Sequence, residues 1–132
     1  MKTISVKTHK RCDMIDITVE VRQAIRASGV ESGLAVVHVP HTTAAVTINE
    51  NADPDVVHDI LMTLDELLPK MRVGYLHGEG NSDAHIKSSL FGPSLTIIIE
   101  NGEPVLGTWQ GIYFCEFDGP RSRKCVVKII EG

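Results

Sequence analysis

The sequence predicts an α+β domain: a mostly antiparallel β-sandwich of about seven strands with two longer helices and one short helix. Three observations lead there. Helical spacing is confined to the first two thirds of the chain, and strand-like runs cluster after residue 94. A length of 132 residues suits one domain able to bury its own core. No repeat, low-complexity tract or linker divides it, so residues 1–132 are taken as a single domain.

Residues 2–9 alternate Ile4 and Val6 with polar neighbours, as an edge strand does, and His9 falls at its solvated end. Asp16 and Thr18 offer N-caps for a helix carrying Val19, Val21, Ala24 and Ile25 on one face and stopping at Gly29. Gly33 to Pro40 is a valine-rich strand, and His41 to Asn49 is a second one. Pro40-His41 breaks the run between them, which predicts a tight corner exposing His41, Thr42 and Thr43.

Asp53-Pro54 is the clearest helix start: the aspartate can cap free amides, and proline lacks only an N–H that would be unpaired there anyway. Val56, Val57, Ile60, Leu61, Leu64, Leu67 and Leu68 then form a helical stripe as far as Pro69. His58 reads as a surface residue, and Asp59 could face solvent or a site. After a loop from Pro69 to Gly74, a short helix is expected over Asp83–Leu90, capped by Ser82 or Asp83 and stopped near Gly92. Ser94–Glu100 is a strand, Asn101-Gly102 a hairpin turn, and Glu103–Gly107 the return. Thr108–Asp118 is another strand with Gly111 marking a bulge; Gly119-Pro120 turns the chain into Lys124–Ile130.

Hydrophobic residues make up 42% and charged residues 23%, ordinary for a soluble globular protein. A net charge of −4 and a pI near 5.8 argue against general nucleic-acid binding. No apolar run is long enough to span a bilayer, and the N-terminus lacks the apolar region of a signal peptide. Cys12, Cys115 and Cys125 are odd in number and lack CxxC spacing, so neither a disulfide framework nor a cysteine zinc site is expected, and the cytoplasm is the expected location.

The densest polar chemistry lies in residues 75–89. His77, Glu79, Asp83 and His85 fall there with Asn81, Lys87 and serines 82, 88 and 89. A packed core does not need so many polar groups together, and the stretch reads as one wall of a site. Two further segments concentrate such residues: His41-Thr42-Thr43, and Gln110 with Glu116 to Arg121. Three imidazoles and a carboxylate would suit zinc, but His-x7-His matches no standard metal signature. A metal site and a set of structural or anion-binding hydrogen bonds both stand at this point. The glycine-rich Gly78 to Asp83 run is neither a P-loop nor a dinucleotide fingerprint, yet a helix starting there would aim free amides at an anion. Arg121 could clamp a phosphate or pair with Glu116 or Asp118. Trp109 suits a core or an interface, Cys115 a buried thiol, and no nucleophile elbow supports a Ser/His/Asp triad.

His41 to Asp55, His77 to Ser89, Leu106 to Ile112 and Cys115 to Arg121 together resemble the YjbQ-like family, in matching order and nearly end to end. Its members are described as secondary thiamine-phosphate synthases. The resemblance implies an α/β sandwich-type homotrimer that joins hydroxymethylpyrimidine diphosphate to a thiazole phosphate with loss of pyrophosphate. On that implication His41, His85 and Asp83 are the expected catalytic residues. Thr42, Asn81, Lys87, Ser88 and Arg121 are expected to bind phosphate, and His41, His77, His85 and Glu79 to hold a divalent ion, Zn or Mg. The sequence departs from the family pattern at Val19 and His58, both outside the motifs. The rival expectations are a trimeric metal- or phosphometabolite-binding protein without catalysis, and a metal-assisted hydrolase. No nucleic-acid or membrane partner is expected.

Overall fold

The computed structural model describes residues 1–132. It contains eight strands: β1 (Lys2–Lys7), β2 (Asp13–Asp16), β3 (Gly33–His38), β4 (Ala44–Glu50), β5 (Ser94–Glu100), β6 (Glu103–Pro104), β7 (Gln110–Glu116) and β8 (Ser122–Glu131). The helices are α1 (Thr18–Ser28), α2 (Pro54–Leu67) and α3 (Ser82–Phe91). The strands form a five-stranded sheet ordered β1-β8-β3-β5-β6 and a three-stranded sheet ordered β2-β7-β4. Every pairing is antiparallel, and β1 is an edge strand as expected.

Period-2 alternation explains the sandwich. Ile4, Val6, Ala35, Val37, Ile97, Ile99, Cys125 and Val127 line the inner face of the larger sheet. Ala44, Val46, Ile112 and Phe114 answer from the smaller sheet, and α1 closes the core with Val21, Ala24 and Ile25. The other face of the smaller sheet presents Met14, Ala45, Tyr113 and Cys115, which α3 covers through Ala84 and α2 through half-buried Val57, Ile60, Leu61 and Leu64. No residue of α2 is fully buried, so its stripe lies on the surface of the sandwich. No helix is long and apolar enough to cross a membrane.

Several local expectations are corrected. Strand β2 was not expected; it is only four residues long, too short to show alternation above its surroundings. The N-cap position of α1 is Ile17, and Asp16 accepts the Thr18 amide at 2.9 Å from one residue further back. Helix α3 has Asn81 at its N-cap without a side-chain cap bond, while Ser82 and Asp83 lie inside the first turn. No bulge forms at Gly111, because the β4–β7 register runs unbroken from Ala44↔Glu116 to Glu50↔Gln110. Gly111 is needed for space instead: a Cβ there would press on the Asn51 side chain.

Candidate functional site

Three connections converge at the end of the smaller sheet where β4 begins and β7 finishes. The β3–β4 corner supplies His38, His41, Thr42 and Thr43. It is pinned by the Val39 amide donating to the Pro93 carbonyl at 2.7 Å. The approach to α3 and its first turn supply His77, Glu79, Asn81 and His85, and the β7–β8 turn supplies Asp118, Arg121 and Arg123. Together they line a cleft of about 700 Å³.

Hydrogen bonds weld these walls. Asn81 Nδ2 donates to Asp118 Oδ2 at 2.8 Å, and Arg121 Nη2 donates to the same oxygen at 3.0 Å. Arg121 Nε also donates to the Asp118 carbonyl at 2.8 Å, so the guanidinium is held at the rim by its own turn. The ring of His77 meets that of His85 edge-on, with centroids 5.3 Å apart. His41 is fixed by the Lys124 amide, which donates to Nε2 at 3.1 Å. That bond leaves Nδ1 as the protonated nitrogen of a neutral ring. Burial, then the nearby Arg123 charge, hold the His41 pKa below its ordinary value and favour the neutral ring.

Beneath the cleft floor lies a buried ion pair. Glu116 is fully buried and accepts Arg123 Nε at 2.9 Å, the Thr8 hydroxyl at 2.7 Å and the Asp118 amide at 3.1 Å. Arg123 Nη2 also donates to Thr43 Oγ1 at 2.8 Å, tying the turn to the corner. Burial alone would raise the Glu116 pKa; the bonds from Arg123 and Thr8 override it and hold the carboxyl below its ordinary value. The turn above is tightly packed, since a Cβ on Gly119 would drive into the Lys10 carbonyl oxygen. Gly119→Ala is expected to destabilise the fold by about 1–3 kcal/mol, read as a lower urea midpoint, because a backbone carbonyl cannot step aside.

The structure brings His41, Thr42, His77, Glu79, Asn81, His85 and Arg121 to the cleft. It places Asp83, Lys87 and Ser88 elsewhere. Asp83 is fully buried, with both oxygens engaged by Arg11 (3.0 and 2.9 Å) and one also by Lys87 Nζ (3.0 Å). Lys87 Nζ donates in addition to Asp65 at 2.7 Å, linking α3 to α2. Ser88 Oγ donates to the Thr42 carbonyl at 2.6 Å and ties α3 to the corner. These three residues hold the wall and do not line the cleft: Asp83 lies two positions from His85, on the far side of α3, and Lys87 follows Asp83 at i,i+4 on that same side.

His38 and Arg123 are cleft residues that the sequence reading did not place there, while Asp118 lies in the Glu116 to Arg121 segment that it singled out. For Arg123 a signal existed: it shares strand parity with Cys125 and Val127, which point into the core, as Glu116 does with Phe114 and Ile112. Two opposite charges on inward positions announce a buried pair.

The expected metal set does not form in this chain. No group of three or more His, Cys, Asp or Glu side chains lies close enough to hold an ion, and His77 Nε2 is 3.9 Å from Glu79 Oε1. His41 offers no lone pair on Nδ1 while Nε2 accepts the Lys124 amide. The residues present therefore do not fit a resident divalent cation, and no chemistry is routed through one.

Comparison with known proteins gives a consistent result. A family model described as UPF0047 protein YjbQ-like matches residues 2–132. The chain is 61% identical over 125 residues to UPF0047 protein MJ1081 of Methanocaldococcus jannaschii, covering 95% of this chain and 90% of that one. It is 55% identical over 130 residues to UPF0047 protein YugU of Bacillus subtilis, covering 98% of each. The crystal structure of a YjbQ/UPF0047 protein from Clostridium acetobutylicum superposes with a TM-score of 0.97 at 61% identity, over 98% of this chain and 100% of that one. With the model matched across nearly its whole length and relatives this similar, the chain belongs to the YjbQ-like UPF0047 family.

Proposed function

We propose that the cleft binds a small phosphorylated molecule and acts as a secondary thiamine-phosphate synthase. In that reaction hydroxymethylpyrimidine diphosphate is joined to a thiazole phosphate with loss of pyrophosphate. The observation that carries the reading is the pairing of His77 and His85, edge-on at 5.3 Å, on a cleft that Arg121 also lines. Imidazoles can donate to a departing phosphate and pass it a proton near neutral pH, and a guanidinium matches its oxygens. His41, neutral and donating through Nδ1, orients the ligand and does not move charge. Thr42 and Asn81 supply further polar contacts at the corner and the α3 start.

A second reading, binding without physiological catalysis, is favoured by the absence of a convergent metal set to stabilise a leaving diphosphate. Three free cysteines and a phosphorylated ligand fit a cytoplasmic setting, and the exposed apolar side chains Met71, Val73, Leu76 and Trp109 fit the homotrimer that the family resemblance implies.

Purified protein assayed for thiamine phosphate separates the readings. The synthase reading expects formation from the two substrates and a fall of about 10²-fold or more in His85→Ala, the size of a lost proton donor. Saturable binding of both substrates without product would favour the binding reading. Unchanged turnover in His85→Ala would remove His85 from the site.

A further inference from the structure

The cleft has a second chemical character beside its histidines and its arginine. Asn81 sits at the N-cap of α3, lines the cleft and is only 6% exposed. An asparagine in that position ordinarily turns its side-chain oxygen onto the free amides of the first turn. Asn81 makes no such bond. Its Nδ2 donates instead to Asp118 Oδ2 at 2.8 Å and reaches Glu79 Oε2 at 3.5 Å. Both partners are carboxylates, which only accept, so the amide cannot be turned over without losing them and the place of Oδ1 is fixed. That oxygen is buried, and nothing in the chain donates to it.

A buried carbonyl oxygen has given up its bonds to water, and it weighs against the fold until some group donates to it. Two further acceptors lie beside it. Asp118 uses Oδ2 for Asn81 and Arg121, and no group of the chain donates to its Oδ1. Glu79 is largely exposed, and its one ion-pair contact is long, 3.9 Å to His77 Nε2. Arg121 is the one guanidinium bonded to these two carboxylates, because Arg123 is committed to Glu116 and Arg11 to Asp83. The corner therefore carries surplus negative charge and unfilled acceptor capacity. No three histidine, cysteine, aspartate or glutamate side chains come close enough to hold a metal ion there. An amine supplies what is missing: positive charge, with N–H groups spread over several directions.

The geometry points to a phosphorylated amine as the ligand of the cleft. Its nitrogen donates to Asn81 Oδ1 and to the Asp118 and Glu79 carboxylates, and its phosphate meets Arg121 and the His77–His85 pair. The inference rests on the reading above for the phosphate end and adds how the rest of the molecule is recognised. Asn81 and Arg121 bond to the same oxygen of Asp118, so the two ends are neighbours and a short ligand spans them. Asn81 is thereby a specificity-determining residue. A phosphate that brings no donor would leave the orphan oxygen and two carboxylates unanswered beneath it.

Calorimetric titration of the full chain with aminoethyl phosphate and with ethyl phosphate tests this, since the two differ only by the ammonium group. Aminoethyl phosphate is expected to bind about tenfold or more tightly than ethyl phosphate, the size of a charge-assisted hydrogen bond. Asn81→Ala and Glu79→Gln are each expected to narrow that ratio. The ratio is the readout because a wall that merely loosened in Asn81→Ala would weaken both probes together. Glu79, largely exposed, can be changed without disturbing the packing. Equal binding of the two probes, a ratio that survives both variants, or no binding of aminoethyl phosphate by a cleft that does bind pyrophosphate would overturn the inference and leave the phosphate reading standing. A cleft that binds neither probe nor pyrophosphate would remove both.

Discussion

Glu116→Ala is expected to destabilise the protein by about 3–5 kcal/mol, the usual consequence of stranding one member of a buried ion pair. Glu116 is fully buried and Arg123 is 8% exposed, so the freed guanidinium cannot recover its lost partner from water without opening the fold. The Thr8 hydroxyl and the Asp118 amide lose their acceptor in the same step. Arg123→Ala is expected to fall in the same range, leaving the buried carboxylate without a countercharge and Thr43 Oγ1 without its donor. Replacing both residues by methionine removes the stranded charge, and that double variant is expected to be more stable than either single one. Urea unfolding at neutral pH checks all three: the midpoints move while the m-value holds. Two single variants with wild-type midpoints would show that the pair is not buried as described.

Asp83→Ala is expected to match that loss, also about 3–5 kcal/mol, because Lys87 is 1% exposed and would keep only Asp65 as a carboxylate partner. Acid titration tests the same carboxylate without mutation. Burial alone would raise its pKa, but the hydrogen bonds from Arg11 and then Lys87 hold it down at about 2, against an ordinary 3.8. A carboxyl depressed in the folded state contributes stability above its unfolded pKa and loses it as pH falls toward its folded value. Wild-type stability is therefore expected to drop by about 2 kcal/mol from this group between pH 5 and pH 2, with Glu116 adding loss of the same sign. In Asp83→Asn the Asp83 part of that slope should vanish. A wild-type protein whose stability is flat over that range would contradict the network.

Much of this architecture is legible in residue pattern. Alternation in Ile4–Val6 and the valine run before Pro40 identify strands of the larger sheet, and Asp53-Pro54 locates the start of α2 to the residue. The polar stretch from His77 to His85 does supply a wall of the cleft. What the pattern hides is direction within a helical turn. Asp83 and His85 are two residues apart, so one turns inward to Arg11 and Lys87 while the other faces the cleft. Composition alone treats them alike. Lys87 looked like an anion ligand for the same reason, although its i,i+4 spacing from Asp83 offered an internal partner. His38 ends β3 just before the Pro40 corner and lines the cleft, although nothing in its strand pattern distinguishes it from a solvated strand end.

The central claim is that this histidine- and arginine-lined cleft is an anion site. Titrating the wild-type chain with pyrophosphate while following the imidazole resonances by NMR tests it most directly. The expected result is saturable shifts at His77 and His85, smaller ones at His41, none at His58 on the exposed face of α2, and weakened binding in Arg121→Ala. Pyrophosphate that leaves the cleft histidines unmoved, or moves His58 as much as His85, would contradict the account.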